Sequence, residues 1–128
     1  MSLPIVRPGD LVAVIAPSGP VDPATVASGV ELLRSWQLKV TVLPHVLDRA
    51  EYLAGADADR AADFTAAWTD PEVAAILCAR GGYGAQRMVD LVDWAGLRAA
   101  RPKPLVGASD ITALHEAVWS QLGVGSYF

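Results

Sequence analysis

Gly107-Ala108-Ser109-Asp110 stands between Leu105-Val106, which reads as a short buried strand, and a helix opening at Asp110. A serine at such a reversal is held out from the carboxyl edge of a sheet, beside the first amides of the helix. Those amides can receive the charge that develops on an attacked carbonyl oxygen, as a nucleophilic serine requires. The nucleophile elbow, Gly-x-Ser-x-Gly, asks for small residues on both sides. Gly107 meets the first demand, and Ile111 stands where the second glycine would be. The same residues also suit a helix cap, with Ser109 or Asp110 accepting bonds from free amides. On these residues alone both readings stay open.

A second turn carries bare backbone. Arg80-Gly81-Gly82-Tyr83-Gly84 follows the apolar run Ala74–Ala79 and precedes a helical segment. It can be a phosphate or nucleotide cradle, a turn whose amides approach a reacting oxygen, or a structural turn needing positive φ. Its spacing fits neither Gly-x-Gly-x-x-Gly nor the lysine-containing phosphate loop, so the nucleotide reading is weak.

A serine hydroxyl needs a base to take its proton, and the base needs an orienting partner. The chain has two histidines. His115 lies on the helix that leaves the elbow, about 9 Å along the axis from Ser109 at 1.5 Å per residue, and is expected to serve packing or the surface. His45 follows a strand and has no pattern around it that marks a base. The single cysteine, Cys78, lies in an apolar run and reads as a buried hydrophobe. No metal site and no organic cofactor are expected.

The elements that must position these groups alternate regularly. Leu11–Ala16 is apolar on both faces, as in a central parallel strand. Asp22 then caps a helix with Pro23 at its first position, running toward Trp36. Lys39–Leu43 is a second strand, and Ala56–Trp68 a second helix. Val73–Ala79 is a third strand, followed by a helix from Ala85 to about Val92 and a further helical turn within 93–101. The fourth strand and the elbow close the series. This order predicts an α/β, Rossmann- or flavodoxin-like, mainly parallel sheet with helices on both faces. Ligands in such sheets sit beyond the carboxyl ends of the strands, where the loops 17–20, 80–84 and 107–110 converge.

With 128 residues the chain makes one domain, 1–128. A net charge of −4 offers no basic face for nucleic acid. No apolar run is long enough for a membrane span, and the N-terminus lacks the pattern of a secretory signal. A cytoplasmic location is expected.

The two glycine turns, Ile76 to Gly84 and Lys103 to His115, together resemble the N-terminal half of the LD-carboxypeptidases, the serine peptidases that include murein tetrapeptide carboxypeptidases and microcin C self-immunity proteins. Gly9-Asp10, Ala16-Pro17-Ser18-Gly19, Tyr52-Leu53-Ala54-Gly55 and Asp59–Asp63 extend the resemblance. It implies that Ser109 is the nucleophile that attacks a peptide bond to a terminal D-residue. It implies an oxyanion hole from the amides of Asp110 and Gly82, with Gly81 the neighbouring alternative. Arg80 and Tyr83 become candidate substrate contacts. The implied substrate is a muropeptide, with a peptidyl-nucleotide as the nearby alternative. The family's glutamate and histidine come from a C-terminal domain that this chain lacks, and Gly123–Phe128 departs from the expected continuation. The chain therefore reads as an N-terminal domain, inert or nearly so alone, with that missing domain as a partner and a homodimer left open. The rival from another class is a non-catalytic Rossmann-like domain holding an anionic ligand or nucleotide on Gly19 and Gly81–Gly84.

Overall fold

The computed structural model describes residues 3–128. Its centre is β1 (Leu11–Ile15), whose apolar run leaves no face for water. β2 (Lys39–Val42) pairs on one side of it and β3 (Val73–Cys78) on the other, with β4 (Leu105–Val106) beyond β3. All three pairings are parallel, in the order β2-β1-β3-β4. Ile15 lies opposite Cys78 and Leu77 opposite Val106, which brings the carboxyl ends of β1, β3 and β4 to one edge.

Alternation along β1 sorts the two faces. Val12 and Val14 meet Leu33 of α1 (Pro23–Ser35) and Ala75. Asp22 caps α1 by accepting the Ala24 amide at 3.0 Å. Ala13 and Ile15 face the larger core. There Phe64 and Trp68 of α2 (Asp57–Thr69), Met88 of α3 (Ala85–Val89), Leu97 of α4 (Trp94–Leu97) and Leu114 and Val118 of α5 (Thr112–Leu122) close over Ile76 and Leu105. Helices thus cover both faces, as expected, but α1 stands alone on one of them. The buried Lys103 donates to the carbonyls of Ala67 and Asp70 at 3.0 and 2.8 Å, satisfying the end of α2.

Two expectations change in detail. The helix after Gly84 stops at Val89, and Asp93 starts a separate turn by accepting the Gly96 amide. The chain after β4 also does not enter an α-helix at Asp110. It makes a 3-10 turn, Ser109–Ile111, before α5 begins at Thr112. Beside β4, Tyr127 donates to the Leu105 carbonyl and accepts from the Gly107 amide, in parallel sense.

Candidate active site

Ser109 sits at φ +60°, a left-handed conformation that costs a non-glycine residue energy and persists only where its surroundings enforce it. Two residues before Ser109, Gly107 lies in tight packing. A Cβ there would come within 2.7 Å of Ile111 Cγ2 and 3.0 Å of Cys78 Cβ. Ile111 is fully buried, so bulk at 111 is accommodated by the absence of a side chain at 107. That is why the second glycine of the elbow pattern is dispensable here. Ser109 itself is exposed, and its hydroxyl has no protein partner among the described residues.

The double-glycine turn lies directly against this serine. A Cβ on Gly81 would fall 3.0 Å from Ser109 Cβ and 3.2 Å from the Asp110 amide nitrogen. The Gly81 carbonyl accepts the Gly19 amide at 3.0 Å, and Gly82, at φ +111°, packs on Gly19. Among the described residues the amides of Asp110 and Gly82 donate to no protein group. The three loops at the carboxyl edge therefore meet as the sequence suggested.

Asp110 behaves differently from a cap of its own helix. Its Oδ2 accepts the Ser18 hydroxyl at 2.7 Å and the Ala85 amide at 3.0 Å. The carboxylate thus caps α3 and ties the β1 loop to the elbow, because those donors reach it and the amides of its own turn do not. The same bond places a negative charge where an anionic ligand would meet α3, which weighs against the anion-binding reading.

A fourth loop is fastened by a residue that sequence reasoning passed over. Arg60 is 1 % exposed. Its guanidinium donates to the carbonyls of Pro17 (2.9 Å), Gly84 (2.7 Å) and Gly55 (3.3 Å) and pairs with Asp57. Burial lowers its pKa and the Asp57 charge opposes that, leaving a guanidinium that stays charged. Asp57 also holds Arg87 at 3.0 Å. In the sequence Arg60 stood out only within Asp59–Asp63, a stretch of the family resemblance inside an alanine-rich helix, with no role attached to it.

Arg80 is exposed, and its Nη1 is tethered to the Pro20 carbonyl at 2.9 Å. Tyr83 is 52 % exposed and leans on Tyr52, ring centres 5.5 Å apart. Neither histidine reaches Ser109. His115 does return to the elbow, but to its entrance: Nε2 bonds the Gly107 carbonyl at 2.7 Å and Nδ1 the Ser126 hydroxyl. The 3-10 turn brings the first turns of α5 back along the end of β4, which a straight helix from Asp110 would not do. His45 follows β2, three strands from β4 and hence about 14 Å across the sheet. Its Nδ1 bonds Asp48 at 2.6 Å, which raises its pKa, and its amide donates to the buried Asp63, whose pKa burial raises.

His45, Asp48 and Asp59 present ligand atoms within 4.8 Å of one another. They are half-exposed, lie across the sheet from Ser109, and the imidazole is already satisfied by Asp48. Cys78 is buried, with its thiol pushed up to about 12 by desolvation, so it is no nucleophile. No helix of the described residues is long and apolar enough to cross a membrane.

Comparison with known proteins identifies the family and the fold. The family model of the LD-carboxypeptidase N-terminal domain matches residues 12–128. A Streptomyces coelicolor protein named as a carboxypeptidase is 62% identical over 120 residues, covering 91% of this chain and 39% of its own length. The murein tetrapeptide carboxypeptidase of Pseudomonas aeruginosa is 36% identical over 106 residues, covering 83% of this chain and 34% of its own. The crystal structure of an MccF-like protein from Bacillus anthracis superposes with a TM-score of 0.90 at 30% identity, over 98% of this chain and 39% of that one. The chain thus spans well under half the length of these relatives. It belongs to the LD-carboxypeptidase family, as that family's N-terminal domain.

Proposed function

We propose that this domain supplies the nucleophile and the oxyanion donors of a serine carboxypeptidase that hydrolyses the L,D peptide bond to a terminal D-amino acid in muropeptides. The observation that carries the proposal is the left-handed Ser109, exposed at the strand-to-helix reversal and packed against Gly81. Ser109 Oγ attacks the carbonyl carbon, and the negative charge that builds on the carbonyl oxygen is received by the amides of Asp110 and Gly82. Collapse of that intermediate expels the D-amino acid and leaves an acyl-serine, which water then hydrolyses.

The attack requires a base to accept the Ser109 proton, and both imidazoles of this chain are held elsewhere. A glutamate and histidine from the rest of the family's chain complete the site, so the 128 residues alone are inert or nearly so. That segment is a partner of this domain, and Trp119 and Phe128, 65 % and 82 % exposed, offer apolar surface for it or for self-association. A cytoplasmic role on recycled muropeptides fits this reading. The test is release of D-alanine from a murein tetrapeptide by the chain alone. No release is expected, whereas release that Ser109→Ala abolishes would show that a base is present after all.

A further inference from the structure

Beside the elbow stands a pair of aromatic rings that the chemistry above does not use. Tyr52 and Tyr83 are 54 % and 52 % exposed, and their rings meet at 5.5 Å and a 55° tilt. Both are held from beneath. Leu53 and Ala54 are buried, the Ala54 amide donates to the Ser18 carbonyl at 2.9 Å, and Leu53 packs against Gly84. Tyr83 is flanked by Gly82 and Gly84, whose positive φ values fix the turn. Two large rings kept in water by rigid loops form a ready binding surface, because the ring faces already lie bare and little ordering remains to be done on contact.

We propose that Tyr52 and Tyr83 form a subsite for the sugar ring of a glycan-linked stem peptide; this rests on the muropeptide reading above. Three features select that ligand. The first is reach. Tyr83 is two peptide units from Gly81, roughly 7 Å at most, and Gly81 touches Ser109. With the length of its own side chain the shelf lies within roughly 15 Å of the nucleophile, a range that includes the span of about three extended residues. A sugar at the head of a tetrapeptide is separated from the last peptide bond by that many residues. The second is shape. Rings 5.5 Å apart leave no slot for a planar base, which needs about 3.5 Å on each side. A puckered sugar can rest an apolar face on one ring and meet the edge of the other. The third is charge. Asp57 holds the neighbouring Arg87 at 3.0 Å but is shared with Arg60, so the rim keeps a cation that can meet a carboxylate of the stem peptide beside the sugar.

The test is calorimetry on the 128-residue chain with four probes: N-acetylmuramoyl-tetrapeptide, the free tetrapeptide, N-acetylmuramic acid and adenosine monophosphate. The sugar-linked peptide is expected to bind about tenfold more tightly than the free one, the order of an aromatic contact. Tyr52→Ala removes that advantage and Tyr52→Phe keeps it, each with an unchanged melting temperature. Equal binding of both peptides would overturn the subsite and leave the carboxypeptidase reading intact. Tyr52-dependent binding of N-acetylmuramic acid without any binding of the free tetrapeptide would keep the subsite and sink that reading. Binding of adenosine monophosphate alone, or of none of the four probes, would overturn the subsite.

Discussion

The residues around Ser109 left nucleophile and helix cap both open, and it was the resemblance carried by the two glycine turns together that singled the serine out. What Gly81 does for it was not legible, since the contact joins two loops far apart in the chain. The structure makes it testable. In Gly81→Ala the new methyl meets Ala108 and Asp110 backbone atoms at 3.2 Å, and backbone cannot swing aside as a side chain can. The elbow must shift, at a cost of about 1–3 kcal/mol. The variant is expected to stay folded in a denaturant titration while Ser109 reacts at least tenfold more slowly with a serine-directed phosphonate. Asp110 teaches a related lesson. A carboxylate beside a helix start reads locally as its cap, but it bonds whichever unpaired donors fold brings nearest, here Ser18 and Ala85.

At the scale of elements, the strands and the order of the sheet were readable because uninterrupted apolar runs alternate with helical spacing. That three loops converge at the carboxyl edge was readable too, but not what fastens them. Their mutual arrangement depends on Arg60, a buried cation whose three carbonyl partners come from three separate segments, around Pro17, Gly55 and Gly84. No local pattern announces such a residue, since an arginine in a polar helix is ordinarily solvated. Arg60→Met would keep much of the volume and leave those carbonyls unpaired, with Asp57 held by Arg87 alone. A loss of about 3–5 kcal/mol in unfolding free energy is expected. Arg60→Lys should recover only part of it, because an ammonium cannot serve three directions through a planar fork. A variant as stable as the parent would show that the loops hold without this residue.

For the whole molecule, the buried Lys103 gives the fold a pH dependence. Desolvation lowers its pKa from 10.5 to about 8, with Asp70 opposing. Between about 8 and 10.5 the unfolded chain therefore holds a proton that the folded chain has released. The Lys103 contribution to stability rises with pH across that window, while Cys78, whose thiol is pushed up from 9.0 to about 12 by burial, offsets it above about 9. Urea midpoints should climb between about 8 and 9 in the parent, and across the whole window the parent should gain on Lys103→Met. A parent midpoint that stays flat or falls there, with no difference from the variant, would show that Lys103 is not desolvated as its burial requires.

The central proposal is that Ser109 is the nucleophile and that the groups which activate it, a glutamate and a histidine, come from outside these 128 residues. The most direct measurement is reaction with a fluorophosphonate followed by mass-spectrometric mapping, with Ser109→Ala as control. The account predicts slow modification at Ser109 alone, faster as pH rises because hydroxide replaces the missing imidazole, and none in the variant. Modification at another serine, or of no serine even under alkaline conditions, would contradict it.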